Sequence, residues 1–118
     1  NKKNIYLFER GKPSRDFVYI DDVVQASVQC FRNFKQNEIE VYDFGNGKVL
    51  SIKEIASKLN KLFNSNIMII VSDKFRTGDV LNGCANLSKF KSRYDYEFKF
   101  DINEGLKLYV EWFKSSYK

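Results

Sequence analysis

Apolar and polar positions fall into short blocks that predict alternating strands and helices. Ile5 to Phe8 is an apolar run of strand length. Glu9 to Ser14, with Gly11 and the single proline Pro13, reads as a loop. Phe17 to Ile20 reads as a strand with Phe17 and Tyr19 on one face and Val18 and Ile20 on the other. Two apolar faces suit a strand covered on both sides. Asp21 or Asp22 then caps a helix running to about Lys35, where a carboxylate meets free N–H groups and the positive end of the dipole. Val23, Val24, Ser27, Cys30, Phe31 and Phe34 form its stripe.

Val41 to Phe44 predicts a short strand, ended by the turn Gly45-Asn46-Gly47. Ser51 and Glu54 form a capping box for a helix to about Phe63, with Ile52, Ile55, Ala56, Leu59, Leu62 and Phe63 inward. Asn64-Ser65-Asn66 ends it, and Ile67 to Val71 predicts a strand. A loop from Ser72 to Asn86 follows, and Asn86 caps a short helix to about Arg93. Asp101 and Glu104 resemble a second capping box, opening a last helix to about Ser116 that turns Ile102, Leu106, Tyr109, Val110 and Phe113 inward. The order gives an α/β fold, a small mixed sheet with flanking helices, closed by a C-terminal clasp.

Composition narrows the function classes. The 118 residues suit one domain, and 43% hydrophobic content argues against disorder. No apolar run reaches the roughly 18 residues of a membrane span. The net charge of +5 is spread from Lys2 to Lys118 without a basic run or nucleic-acid motif, so neither nucleic acid nor membrane is an expected partner. Asn1-Lys2-Lys3-Asn4 leads into no signal-peptide core, and the absence of a start methionine suits a piece of a longer chain. Two cysteines, Cys30 and Cys84, make no disulfide scaffold and fit a reducing cytoplasm, with Cys30 a small core residue. No histidine is present, which removes Ser-His-Asp and Cys-His catalysis and histidine-bearing zinc sites. Asp21, Asp22 and Asp43 have no metal-ligand spacing and are read as caps or solvated acids.

Two arginine-acid loops carry the candidate chemistry. Arg15 precedes the Phe17 run, and its planar fork of donors suits phosphate oxygens, or else an ion pair with Asp16 or Asp22. Arg76 and Asp79 flank Thr77-Gly78. Here Arg76 could hold phosphate and Asp79 a ribose hydroxyl, or the two could close a turn salt bridge. Gly45-Asn46-Gly47-Lys48 lacks the spacing of a phosphate loop and is read as a turn. Phe98, Phe100, Tyr109, Trp112 and Phe113 are read as core.

Four segments, in this order, resemble the nucleotide-sugar epimerases and dehydratases of the extended short-chain dehydrogenase/reductase group. They are Gly11 with Arg15-Asp16-Phe17-Val18-Tyr19-Ile20 and Asp22-Val23; Val41 to Gly47 with Ser51-Ile52 and Glu54; Phe75 to Val80 with Ala85 to Lys89; and Glu104-Gly105-Leu106 with Trp112. The resemblance implies that residues 1–118 are the C-terminal substrate-binding portion of a Rossmann-type enzyme using NAD or NADP. Arg15 and Arg76 would hold the diphosphate of a nucleoside-diphosphate sugar, Asp79 a ribose hydroxyl, and Tyr6 and Phe8 would lie near the base. A homo-oligomer in the cytoplasm is expected.

The departures matter too. There is no glycine-rich dinucleotide fingerprint and no Tyr-x-x-x-Lys, so no catalytic residue, cofactor-binding residue or metal is assigned to this stretch, which would neither hold NAD nor catalyse alone. Asn86 stands where the family has Asp, Asp43 where it has Asn, and Asn82 and Gly83 replace larger residues. Alternatives are a reductase or decarboxylase of the same group, or a stand-alone α/β module binding a nucleotide or protein.

Overall fold

The computed structural model describes residues 4–35 and 39–117; the opening stretch Asn1–Lys3 lies outside them. Strands β1 (Ile5–Leu7), β2 (Ser14–Asp16), β3 (Val49–Ser51), β4 (Ile69–Val71) and β5 (Asn82–Gly83) interleave with helices α1 (Ile20–Arg32), α2 (Ile52–Leu62), α3 (Ser88–Arg93) and α4 (Ile102–Ser116). β1 and β4 pair in parallel, with Tyr6 opposite Ile70. A second sheet runs β3-β2-β5, antiparallel across β2/β3 and parallel across β2/β5, with Arg15 opposite Leu50 and Gly83.

The two helix starts with complete signals form as their sequence dictates. Ser51 Oγ accepts from the Glu54 amide at 3.2 Å and the Glu54 carboxylate accepts from the Ser51 amide at 2.8 Å. Such a cap contributes about 1 kcal/mol. Asp101 accepts from the amides of Asn103 and Glu104 at 2.7 and 2.9 Å, which holds its carboxyl below the usual range. α2 and α4 pack together, with Phe63 edge-on to Phe113.

Other elements depart from the sequence pattern. The strand expected over Phe17–Ile20 lies upstream, at Ser14–Asp16, because β3 and β5 flank that segment; Ile20 already opens α1. Neither Asp21 nor Asp22 caps α1; Tyr19 occupies the N-cap without a side-chain bond. Asp22 is instead buried, 1% exposed, and serves another segment. Its carboxylate accepts from the amides of Lys99 and Phe100 at 2.9 and 3.0 Å and from the Tyr96 hydroxyl at 3.1 Å. Burial, and then Asp22, push the Tyr96 phenol up to about 12, so it stays a donor at neutral pH. Val41–Phe44 forms no strand, since no strand edge lies beside it among the described residues. Asn86 caps the start of α3 as expected: its side chain accepts from the Ser88 amide at 3.1 Å, and Leu87 between them is already in helical conformation.

The core is small. Leu7, Ala26, Ile55, Ala56, Phe90 and Val110 are buried, with Phe90 ringed by Tyr42, Phe44, Tyr94, Tyr96 and Phe98. The stripe expected to be covered on α1 is open: Val24, Phe31 and the following Phe34 are exposed, as are Val41 and Trp112. The accessible surface is 9100 Å², against about 6,700 Å² for a closed monomer of this mass. The radius of gyration is 17.2 Å, against about 13–14 Å for a compact chain of this length. Among the described residues no helix is long and apolar enough to cross a membrane.

Candidate functional site

The two small sheets bring the arginine-acid loops to one cleft. β1 delivers Tyr6 and, just beyond it, Phe8. A 3-10 turn, Glu9–Gly11, then reverses the chain with three successive positive φ angles: Glu9 at 51°, Arg10 at 55° and Gly11 at 68°. At Gly11 an added Cβ would stand 2.8 Å from the Lys53 Cβ, so α2 needs glycine there. The amides of Glu9 and Arg10 donate to the carbonyls of Lys74 and Ser72, and Arg10 pairs with Asp73. These contacts tie the turn to the loop after β4.

Arg15 leaves β2 toward that loop. Its Nη1 donates to the Ser14 carbonyl at 2.8 Å and the Leu81 carbonyl at 3.4 Å; its Nη2 meets Asp79 Oδ1 at 3.0 Å. The ion pair forms across 64 residues, not with Asp16 or Asp22 as the local alternative had it. The Arg76–Asp79 turn is also different from its local alternative. The Asp79 amide donates to the Arg76 carbonyl at 3.1 Å, but the Asp79 carboxylate goes to Arg15. The Arg76 guanidinium lies over the Phe8 ring, 5.1 Å from its centroid.

Asp16 explains why β2 is so placed. It accepts from the amides of Asn46, Gly47 and Ala85 at 2.8, 2.9 and 3.2 Å. An added Cβ on Gly45 would strike this carboxylate and stand 2.7 Å from the Ala85 Cβ. One acid thus fastens the Gly-Asn-Gly turn and the residues after β5 to the strand carrying Arg15. Asp43 accepts from the Asn86 amide at 3.2 Å.

All five sequence-nominated residues, Tyr6, Phe8, Arg15, Arg76 and Asp79, line one cavity of about 250 Å³, with Leu7, Glu9, Pro13 and Ile52. A second cavity, about 410 Å³, opens on the other side of Arg15 against Asp16, Tyr42, Asp43, Phe44, Gly83, Cys84 and Ala85. Together the two fall within the usual range for a small-molecule site. Glu9 is the lining acid that the loop reading of residues 9–14 passes over, and no local pattern marks it. A larger cleft, about 730 Å³ between β3 and the Phe98–Asn103 stretch, contains none of the five. Among the described residues no three acids, cysteines or histidines gather as a metal site.

Two guanidinium groups, two carboxylates, of which Asp79 pairs with Arg15, and two aromatic faces in one cleft suit a ligand that is anionic, hydroxyl-bearing and flat at one end.

Comparison with known proteins gives a consistent picture. The model of the NAD dependent epimerase/dehydratase family matches residues 1–45. A UDP-glucuronate 4-epimerase of Thermodesulfobacterium geofontis is 32% identical over 116 residues, 98% of this chain and 35% of the relative. An uncharacterized protein of Methanocaldococcus jannaschii is 32% identical over 114 residues, 94% of this chain and 33% of the relative. Among solved structures, the UDP-glucose 4-epimerase of Thermotoga maritima with UDP-glucose superposes with a TM-score of 0.85 at 28% identity, covering 98% of this chain and 36% of that one. The chain spans about a third of the length of the curated relatives it matches.

Proposed function

We propose, because the chain belongs to the NAD dependent epimerase/dehydratase family of the extended short-chain dehydrogenase/reductase group, that it is the nucleotide-sugar-binding, C-terminal portion of an enzyme that epimerises or dehydrates a nucleoside-diphosphate sugar. The single observation that carries this reading is the convergence of Arg15, Arg76, Asp79, Tyr6 and Phe8 on one cleft from segments more than 60 residues apart. Arg15 and Arg76 neutralise the diphosphate, Asp79 accepts from a ribose hydroxyl, and the base lies against Phe8 and Tyr6. The sugar passes Arg15 into the cavity between Tyr42 and Gly83. NAD or NADP, held by the dinucleotide-binding portion, would take a hydride from that sugar and return it. This chain's residues bind and orient; the proton and hydride steps fall to groups outside residues 1–118.

The parent protein should therefore bind nucleoside-diphosphate sugars with clear preference among bases. Titration calorimetry with UDP, dTDP, GDP and ADP, and then their sugars, tests this. Saturable binding of at least one nucleotide, lost on removal of both arginines, is expected. Binding of none of them would contradict the reading.

The open surface supports the assignment of residues 1–118 to part of a larger assembly. An excess of roughly 2,400 Å² over a closed monomer is on the scale of obligate interfaces. Its apolar members include Ile20, Val24 and Phe31 on α1, and Val41. In the parent these faces pack on the dinucleotide-binding portion. Residues 1–118 alone are expected to self-associate through them, and sedimentation over a concentration series should show mass rising with concentration. A single monomeric species at high micromolar protein, without dye binding to apolar surface, would contradict this.

A further inference from the structure

We propose that Asp79 guards Arg15: in the empty cleft it occupies the guanidinium that a diphosphate needs, and it gives way only to a ligand that offers its carboxylate a hydroxyl in exchange. The proposal rests on the nucleotide-sugar reading of the same cleft and concerns selectivity within it. Arg15 is held on three sides, by the carbonyls of Ser14 and Leu81 and by Asp79. The two carbonyls belong to β2 and to the residue before β5, so they fix the guanidinium whether or not a ligand is present. Asp79 is different in kind. It sits on the exposed Arg76–Asp79 turn, its side chain 41% exposed, and it is an anion placed where another anion is to bind.

The consequences differ by ligand. A bare anion such as pyrophosphate must displace Asp79 from Nη2 and then sit beside an unpaired carboxylate, which repels it. A nucleoside diphosphate displaces the same contact, but its ribose supplies an O–H donor to the freed carboxylate. The acceptor-only chemistry of a carboxylate makes this exchange possible. Discrimination against the wrong anion through an unpaired charge is a general route to specificity. Asp79 is thus a selectivity residue, favouring ribose-linked diphosphates over the inorganic anions that two arginines would otherwise attract.

The test measures pyrophosphate and UDP binding to the intact protein by calorimetry, for the parent and for Asp79→Asn, Glu9→Gln and Arg15→Ala. Glu9→Gln removes the same charge from the same cleft and is the control for simple electrostatics. With Asp79→Asn, pyrophosphate should tighten by about two- to fivefold, the scale of a part-exposed ion pair. That gain should exceed the gain from Glu9→Gln, and UDP should not tighten comparably, so the preference for UDP narrows. Pyrophosphate binding that is unchanged, weakened or raised no more than by Glu9→Gln would overturn the proposal. So would equal tightening of both ligands. If Arg15→Ala leaves pyrophosphate binding intact, the nucleotide-site reading itself fails, an outcome separate from failure of the guard alone.

Discussion

Asp22→Ala is expected to destabilise the protein by about 3–5 kcal/mol, the scale of two amide hydrogen bonds to a charged acceptor at about 1.5–3 kcal/mol each. Asp22 is 1% exposed and accepts three hydrogen bonds from a single stretch, Tyr96 to Phe100. Alanine would leave the Lys99 and Phe100 amides without their acceptor and a void where the carboxylate stood. Each orphaned buried donor costs about 1–3 kcal/mol. Because native domains hold only about 5–15 kcal/mol in total, the variant should unfold at markedly lower denaturant. Asp22→Asn keeps one acceptor but turns an N–H₂ group toward the other donors, so its loss should be smaller, about 2 kcal/mol. Denaturant unfolding of parent and variants measures both. A cost for Asp22→Ala below about 1 kcal/mol would mean that this carboxylate does not fasten α1 to the stretch before α4.

That residue also marks where the sequence was legible and where it was not. Local signals were read correctly. Ser51 with Glu54 and Asp101 before Ile102 cap the helices they precede, because a cap is decided by residues three positions apart. Asp22 looked equally like a cap, but its partners lie 74 to 78 residues away, beyond any local pattern. The same holds for Arg15. Its neighbours Asp16 and Asp22 offered plausible partners, yet Asp16 is committed to the amides of Asn46, Gly47 and Ala85, and Arg15 pairs with Asp79. The Phe17–Ile20 and Val41–Phe44 runs were read as strands from their apolar content. Strand formation needs a paired edge, however, and the edges on offer meet Ser14–Asp16 instead. The α1 stripe through Val24 and Phe31 reads as a surface to be covered, yet both residues are exposed here; periodicity does not say what covers a face. The five candidate site residues are set around one ligand by the family resemblance, not by any local pattern; the cleft they share is tertiary information.

Removing either arginine should weaken nucleotide-sugar binding far more than any other single change in the cleft. A charge-assisted contact to phosphate contributes about 1.5–3 kcal/mol, which is roughly a ten- to 150-fold change in affinity. Arg76→Ala should fall in this range, since the Arg76 guanidinium lies over Phe8 and, among the described residues, forms no salt bridge, so it is available to the ligand. Arg15→Ala should fall in the same range, because it removes a phosphate contact and leaves the charge of Asp79 in the cleft without a nearby cation. Asp79→Ala should cost less than either, as one neutral hydroxyl contact is offset by release of Arg15. Calorimetric titration of the intact protein with the nucleotide sugar it binds best, set beside the Arg15→Ala and Arg76→Ala variants, tests the central claim most directly. Losses of at least about tenfold in both variants, with unfolding midpoints near the parent's, are the expected result. Parent-like affinity in both would contradict the assignment of this cleft to the diphosphate.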